Sequence, residues 1–209
     1  MHPYLMRLGV RPEVQEFFSA FYLSEADDLV FQQGYYLEHF GFAFHRVPAG
    51  GDVWLAGELN LALVSQVFIS ATAMDALAFL HLHGHTLTHW NNLLFVAVGI
   101  NLSNTQLRWI AEKLHGKKLT MLFPRDILGC IADLKVAAAY RRMPAAAFLA
   151  EKEKLKISFR AREYDFDQQT FSLSAFERAS TYRFKVITRK PKNGVSFYEQ
   201  LKAGAFPTI

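Results

Sequence analysis

Two aspartates follow apolar runs and precede helical stretches: Asp126 in LTMLFPRDILG and Asp75 in VFISATAMDALAF. Open α/β sheets place their ligands beyond the carboxyl ends of their strands, so these residues have the type and position for chemistry. That chemistry would be metal-dependent phosphoryl transfer. Mg²⁺ takes hard oxygen ligands, and a two-metal site needs several convergent carboxylates. The three expected strand ends supply few: Ser70, Ala71 and Thr72 at the first, Gly99 and Asn101 at the second, Asp126 at the third. Arg125 beside Asp126 repels a cation and competes for the carboxylate. Helix capping also accounts for both residues without a ligand. Asp126 precedes a helix, and Thr72 and Asp75 have the spacing of a capping box. Asp126 remains the one candidate for catalysis. Asp126, Asp75 and Glu58 are the carboxylates from which a Mg²⁺ site with substituted ligands would be built, although the set disfavours the ion.

Other residues could bind an anion. Arg125 lies at the expected ligand edge, beside a helix N-terminus suited to negative charge. Arg141 and Arg142 follow the third helix, and Arg183, Lys185, Arg189, Lys190 and Lys192 fall in RFKVITRKPK, which mixes basic, aromatic and β-branched residues as a nucleic-acid-facing strand does. A solvated surface is the plain alternative for such runs. The formal charge of +4 mildly favours an anionic partner. His81, His83, His85 and His89 lie close in sequence, but Gly84 is expected to end the helix between His81 and His85. No carboxylate lies among them, and they fall at the opposite end of the sheet from the expected cleft. Cys130 is the single cysteine, which excludes an internal disulfide, and reads as a small core residue.

The elements that must position these residues form a threefold strand-then-helix alternation. SQVFIS (65–70), LLFVAV (93–98) and KLTMLF (118–123) are short apolar runs that read as buried strands. Helices follow each, the first to Gly84, the second opened by a Ser103/Gln106 capping box and ended near Gly116, the third running to Pro144. This order predicts a parallel sheet covered on both faces by helices. Residues 1–40 read as helical and aromatic, and FAFHRVPAGGDVWLAGEL as a hairpin turning at Pro-Ala-Gly-Gly. SAFERAST reads as a short helix within a basic C-terminal stretch. The N-terminus lacks a signal-peptide core, and no stretch approaches the roughly 20 apolar residues of a membrane span. A cytoplasmic protein is expected.

VFISATAMDALAF, LLFVAVGINLSNTQ and LTMLFPRDILGCIADLKVA follow one another in a way that resembles the Toprim domain of primases, topoisomerases and mobilisation proteins. YLMRLGV near the start and KNGVSFYEQLKAG near the end resemble segments that flank such domains. The resemblance implies a Toprim-like, Rossmann-like, mostly parallel α/β core at 61–145. A helical and hairpin region at 1–60 precedes it, and a basic extension at 146–209 packs on it. In the family the first strand ends in Glu-Gly before an Asp-Ala, and the third in an Asp-x-Asp that binds magnesium. Here Asp75-Ala76 matches the Asp-Ala, Ala71 stands at the glutamate, Thr72 at the glycine, and Pro124 at the first aspartate. Asp126 matches the second aspartate and Gly129 the following glycine. The resemblance therefore implies a protein that has lost most catalytic carboxylates and serves as an accessory nucleic-acid-binding protein of replication or mobilisation. Two alternatives stand: a metal-dependent phosphotransferase, primase-like or nuclease activity with substituted ligands, and a protein-interaction module presenting Phe17, Phe18, Phe21, Tyr22, Tyr35 and Tyr36 to a protein partner.

Overall fold

The computed structural model describes every residue except 26, 42, 43, 50, 144, 151, 152 and 206–209. Two short helices open the chain, α1 (Pro3–Arg7) and α2 (Pro12–Phe18), followed by the strands β1 (Leu23–Glu25), β2 (Asp28–Gln33), β3 (Tyr36–Phe40), β4 (His45–Arg46) and β5 (Trp54–Gly57). The strand–helix units come next: β6 (Gln66–Ser70) with α3 (Ala73–His83), β7 (Leu93–Ala97) with α4 (Asn104–Lys113), and β8 (Lys118–Met121) with α5 (Ile127–Tyr140). The chain ends with β9 (Ala145–Ala150), β10 (Lys154–Phe159), β11 (Arg162–Asp167), α6 (Leu173–Ser180), β12 (Ile187–Thr188) and α7 (Phe197–Ala205).

The central sheet has the order β12-β8-β6-β7-β5. Its first four strands are parallel, and β5 runs antiparallel to β7. The fold is mixed α/β, with a five-stranded mixed sheet and two smaller antiparallel ones. Because strand side chains alternate, the central sheet buries two cores. Val67, Ile69, Leu94, Val96, Leu119 and Met121 face α4, α5 and the β9–β11 sheet. Phe68, Phe95 and Ala97 face α3, α7 and the N-terminal elements. Residues 187–205, expected within an extension, supply the edge strand β12 and a helix that packs on α3.

Two expectations about the N-terminal region are corrected. Residues 23–25, 28–33 and 36–40 are strands rather than helix: β2 buries the consecutive Leu29, Val30 and Phe31, and Gly34, at φ 59°, makes the tight turn into β3. The hairpin expected around residues 48–51 does not form, because its two arms join different sheets. His45–Arg46 pairs with β3, whereas Trp54–Gly57 pairs with β7 and thereby buries Trp54 and Ala56. Phe18 is core and Phe17, Phe21 and Tyr22 are half-buried, while Tyr35 and Tyr36 are exposed on the turn. Pro144, expected to stop α5, lies outside the described residues; α5 ends at Tyr140. No helix of the described residues is long and apolar enough to cross a membrane.

Candidate functional site

The carboxyl ends of β6, β7 and β8 open onto a cleft of about 270 Å³. Its walls are mostly apolar, including Phe40, Ala71, Ile100, Phe123, Leu128 and Val195, with Asp75, Asp126 and Glu199 at its border. The structure thus brings Asp75 and Asp126 to one place but commits both to helix ends. Asp126 Oδ1 accepts the Gly129 N–H at 2.7 Å and caps α5. Gly129 is needed there, since a Cβ would lie 2.1 Å from the Pro124 carbonyl oxygen. Asp75 is buried. Its Oδ2 accepts the Thr72 hydroxyl at 2.8 Å, and its Oδ1 accepts the Tyr198 N–H at 2.9 Å, tying α3 to α7. The Thr72 half of the expected capping box forms, but the reciprocal bond does not, because Asp75 turns to Tyr198 instead. Ser103 and Gln106 form the complete box. Burial raises the Asp75 carboxyl pKa, with hydrogen bonds from Tyr198 and Thr72 opposing the shift.

Glu58 is not part of this cleft. Its N–H donates to Leu93 O at the amino end of β7, and its carboxylate accepts the Asn60 N–H. Among the described residues no group of three or more His, Cys, Asp or Glu side chains is placed to hold a metal ion. Asp75 already accepts hydrogen bonds on both oxygens, and Ala71 offers no donor, so this set does not fit Mg²⁺.

A carboxylate that sequence reasoning missed lies behind the cleft. Glu38 of β3 is fully buried, and its oxygens accept the N–H groups of Ala73 at 2.9 Å and Met74 at 3.1 Å, at the start of α3. Gln33 Nε2 donates a further bond at 3.1 Å. The amides with which a helix would receive an anion are therefore already filled by the protein. Burial pushes the Glu38 carboxyl up to about 8, against the lowering effect of these donors. The available signal was phase: Glu38 shares a strand face with Phe40.

The cations separate into distinct settings. The Arg125 guanidinium donates to the Pro191 carbonyl, and the Arg125 backbone N–H to Val195 O at 2.8 Å, which pins the 191–195 loop. Lys190 is an internal ion-pair partner rather than a free cation. Its Nζ lies 2.6 Å from Asp133 Oδ2 and donates to the carbonyls of Phe123 and Pro124. Burial pushes the Asp133 carboxyl up to about 6, although Lys190 pulls it down. Arg183 pairs with Glu177 at 3.1 Å, and the Arg142 Nε donates to Ala111 O at 3.4 Å, so neither meets the others. Arg141 caps the end of α5, and Lys185 is exposed in the loop after α6.

Arg189 and Lys192 do converge, on the sheet face covered by α3 but away from the strand carboxyl ends. There a groove of about 600 Å³ runs between α3 and the β8–β12 edge. Its floor includes Gln66, Thr120 and Ile187, and Lys118, Arg189, Lys192 and His83 line its sides. The short β12 leaves this part of the face uncovered, and Arg189 is held there as its N–H donates to Met121 O at 2.9 Å. No aspartate or glutamate lines the groove among the described residues. Lys118, Arg189 and Lys192 are exposed, and within the described residues their side chains form no ion pair or hydrogen bond. Burial lowers the His83 pKa, and His85, Arg189 and Lys192 lower it further. The other histidines do not gather: His81 Nδ1 accepts the Arg11 N–H, while His85 and His89 are exposed. Cys130 is buried at the start of α5.

No protein-family model, curated protein or solved structure matches the chain.

Proposed function

We propose that the chain is a Toprim-like protein without the family's metal-dependent phosphotransfer, and that it is an accessory nucleic-acid-binding protein of replication or mobilisation. One observation carries the binding reading: three unpaired cations, Lys118, Arg189 and Lys192, share a groove in which no described carboxylate opposes them. A polyanion gains from releasing counterions at such a site. The Toprim-like reading is supported by the three parallel strand–helix units in sequence order and by the commitment of Asp75 and Asp126 to helix ends. The binding surface differs from the one expected at the strand ends, because Arg125 is spent on the loop that follows β12 and Lys190 on Asp133.

Fluorescence anisotropy of labelled single- and double-stranded oligonucleotides tests this. The expected log-affinity slope against log salt is about −2 for a single strand neutralised by three cations. A Lys118→Glu, Arg189→Glu, Lys192→Glu variant should bind at least roughly tenfold more weakly at ~50 mM salt. Reversing Arg142, on the opposite side of the sheet, should change little. Absent binding at low salt, or equal binding by the triple variant, would remove the proposal.

A further inference from the structure

One more nitrogen-bearing side chain lines the groove, and it differs from the three cations beside it. His83 is the last residue of α3, and its ring borders the groove with Lys118, Arg189 and Lys192. Two phenylalanines set the ring. Phe79, one turn earlier, lies 5.1 Å away between centroids, and Phe197 of α7 stands perpendicular to it at 5.8 Å. Both phenylalanines are buried, so the half-buried imidazole is held from the core side and opens to the groove. Three other histidines have internal partners: His81 Nδ1 accepts the Arg11 N–H, His2 Nδ1 accepts the Tyr4 N–H, and His39 Nε2 meets Asp28 Oδ2 at 3.0 Å. The ring nitrogens of His83 form no hydrogen bond or ion pair among the described residues.

We infer that His83 is a fourth phosphate contact of the groove and makes that contact as imidazolium, so that nucleic-acid binding takes up a proton from solvent. The inference rests on the nucleic-acid reading of the groove. The charges around the ring set its direction. Lys118 of β8, Arg189 after β12, Lys192 before α7 and His85 in the turn after α3 supply the positive charge on this side. Lys190 also lines the groove, but its Nζ turns to Asp133. The carbonyl end of α3 is the one element that favours a proton on the ring. In the free protein, burial and the neighbouring cations outweigh it and keep the imidazole neutral near neutral pH. A phosphate seated among Lys118, Arg189 and Lys192 reverses that field, and its oxygens accept the ring N–H groups that no protein group receives. The ring then holds its proton more tightly in the complex than in the free protein. Affinity must therefore increase as pH falls through the bound-state value and level off below the free-state value.

Fluorescence anisotropy of a labelled single-stranded oligonucleotide, repeated from about pH 8 to about pH 6 with the full chain, provides the test. The affinity of the parent should rise at least roughly threefold over that range at fixed salt. Its log-affinity slope against log salt should steepen from about −2 to about −3 as the fourth contact forms. His83→Gln should bind like the parent at the higher pH and gain little at the lower. His83→Lys carries a fixed cation, so it should bind tightly at both. His85→Gln should keep the rise, and circular dichroism serves as the folding control for each variant. A parent affinity that ignores pH would overturn the inference and leave nucleic-acid binding in place. So would a rise that survives in His83→Gln or disappears in His85→Gln, or pH-dependent binding by His83→Lys. Absent binding at every pH in low salt would instead remove both this inference and the reading on which it rests.

Discussion

Lys190→Ala should destabilise the fold by about 3–5 kcal/mol, the usual result of removing one partner of a buried ion pair. Asp133 is 1% exposed, and its Oδ1 has no hydrogen-bond partner, so Lys190 is the group that compensates its charge. Without it the carboxyl must take up a proton to remain buried. The loss should therefore be largest near neutral pH and smaller in acid. Lys192→Ala, two positions on and exposed, should stay within about 0.5 kcal/mol of the parent. Urea unfolding at neutral pH checks both; equal midpoints for the two variants would mean that the pair contributes nothing.

Glu38 gives the second large effect. Glu38→Ala removes the acceptor of the Ala73, Met74 and Gln33 donors and leaves two amides at the start of α3 buried without partners, at a cost of about 2–4 kcal/mol. Its titration has a definite sign. The folded pKa of about 8 lies above the unfolded value near 4.5, so the folded state holds the extra proton between them. Stability contributed by this group is greatest below the lower value and declines as pH rises towards 8. Glu38→Gln keeps an acceptor oxygen and removes the titration, so it should flatten that decline. Urea midpoints at about pH 5 and about pH 8 decide the matter, and a parent protein no less stable at the higher pH would contradict the assignment.

The parts of the fold that were legible in the sequence are those set by local pattern. β6, β7 and β8 are continuous apolar runs, and Thr72, Ser103 and Asp126 cap the helices expected to follow them. What was not legible depends on contacts distant in sequence. Trp54–Gly57 has the pattern of a hairpin arm, yet it pairs with β7, distant in sequence, and buries Trp54 and Ala56 there. Glu38 meets α3 across 35 residues, and Lys190 meets Asp133 across the sheet edge, so neither pairing has a local signature. Asp133 did carry a hint, as a carboxylate within the apolar helix ILGCIADLKVAAAY that requires a cation somewhere. The basic segment was visible as composition, but composition could not divide it. Lys190 turns inward, Arg183 pairs locally, and Arg189 and Lys192 join Lys118 from a different strand.

Lysine acetylation footprinting, with and without saturating oligonucleotide, tests binding in the groove most directly. Lys118 and Lys192 should become protected, while Lys154 and Lys156 on β10, across the molecule, should react as before. Unchanged reactivity of Lys118 and Lys192 in the bound state, or protection confined to β10, would place the nucleic acid elsewhere and contradict the assignment.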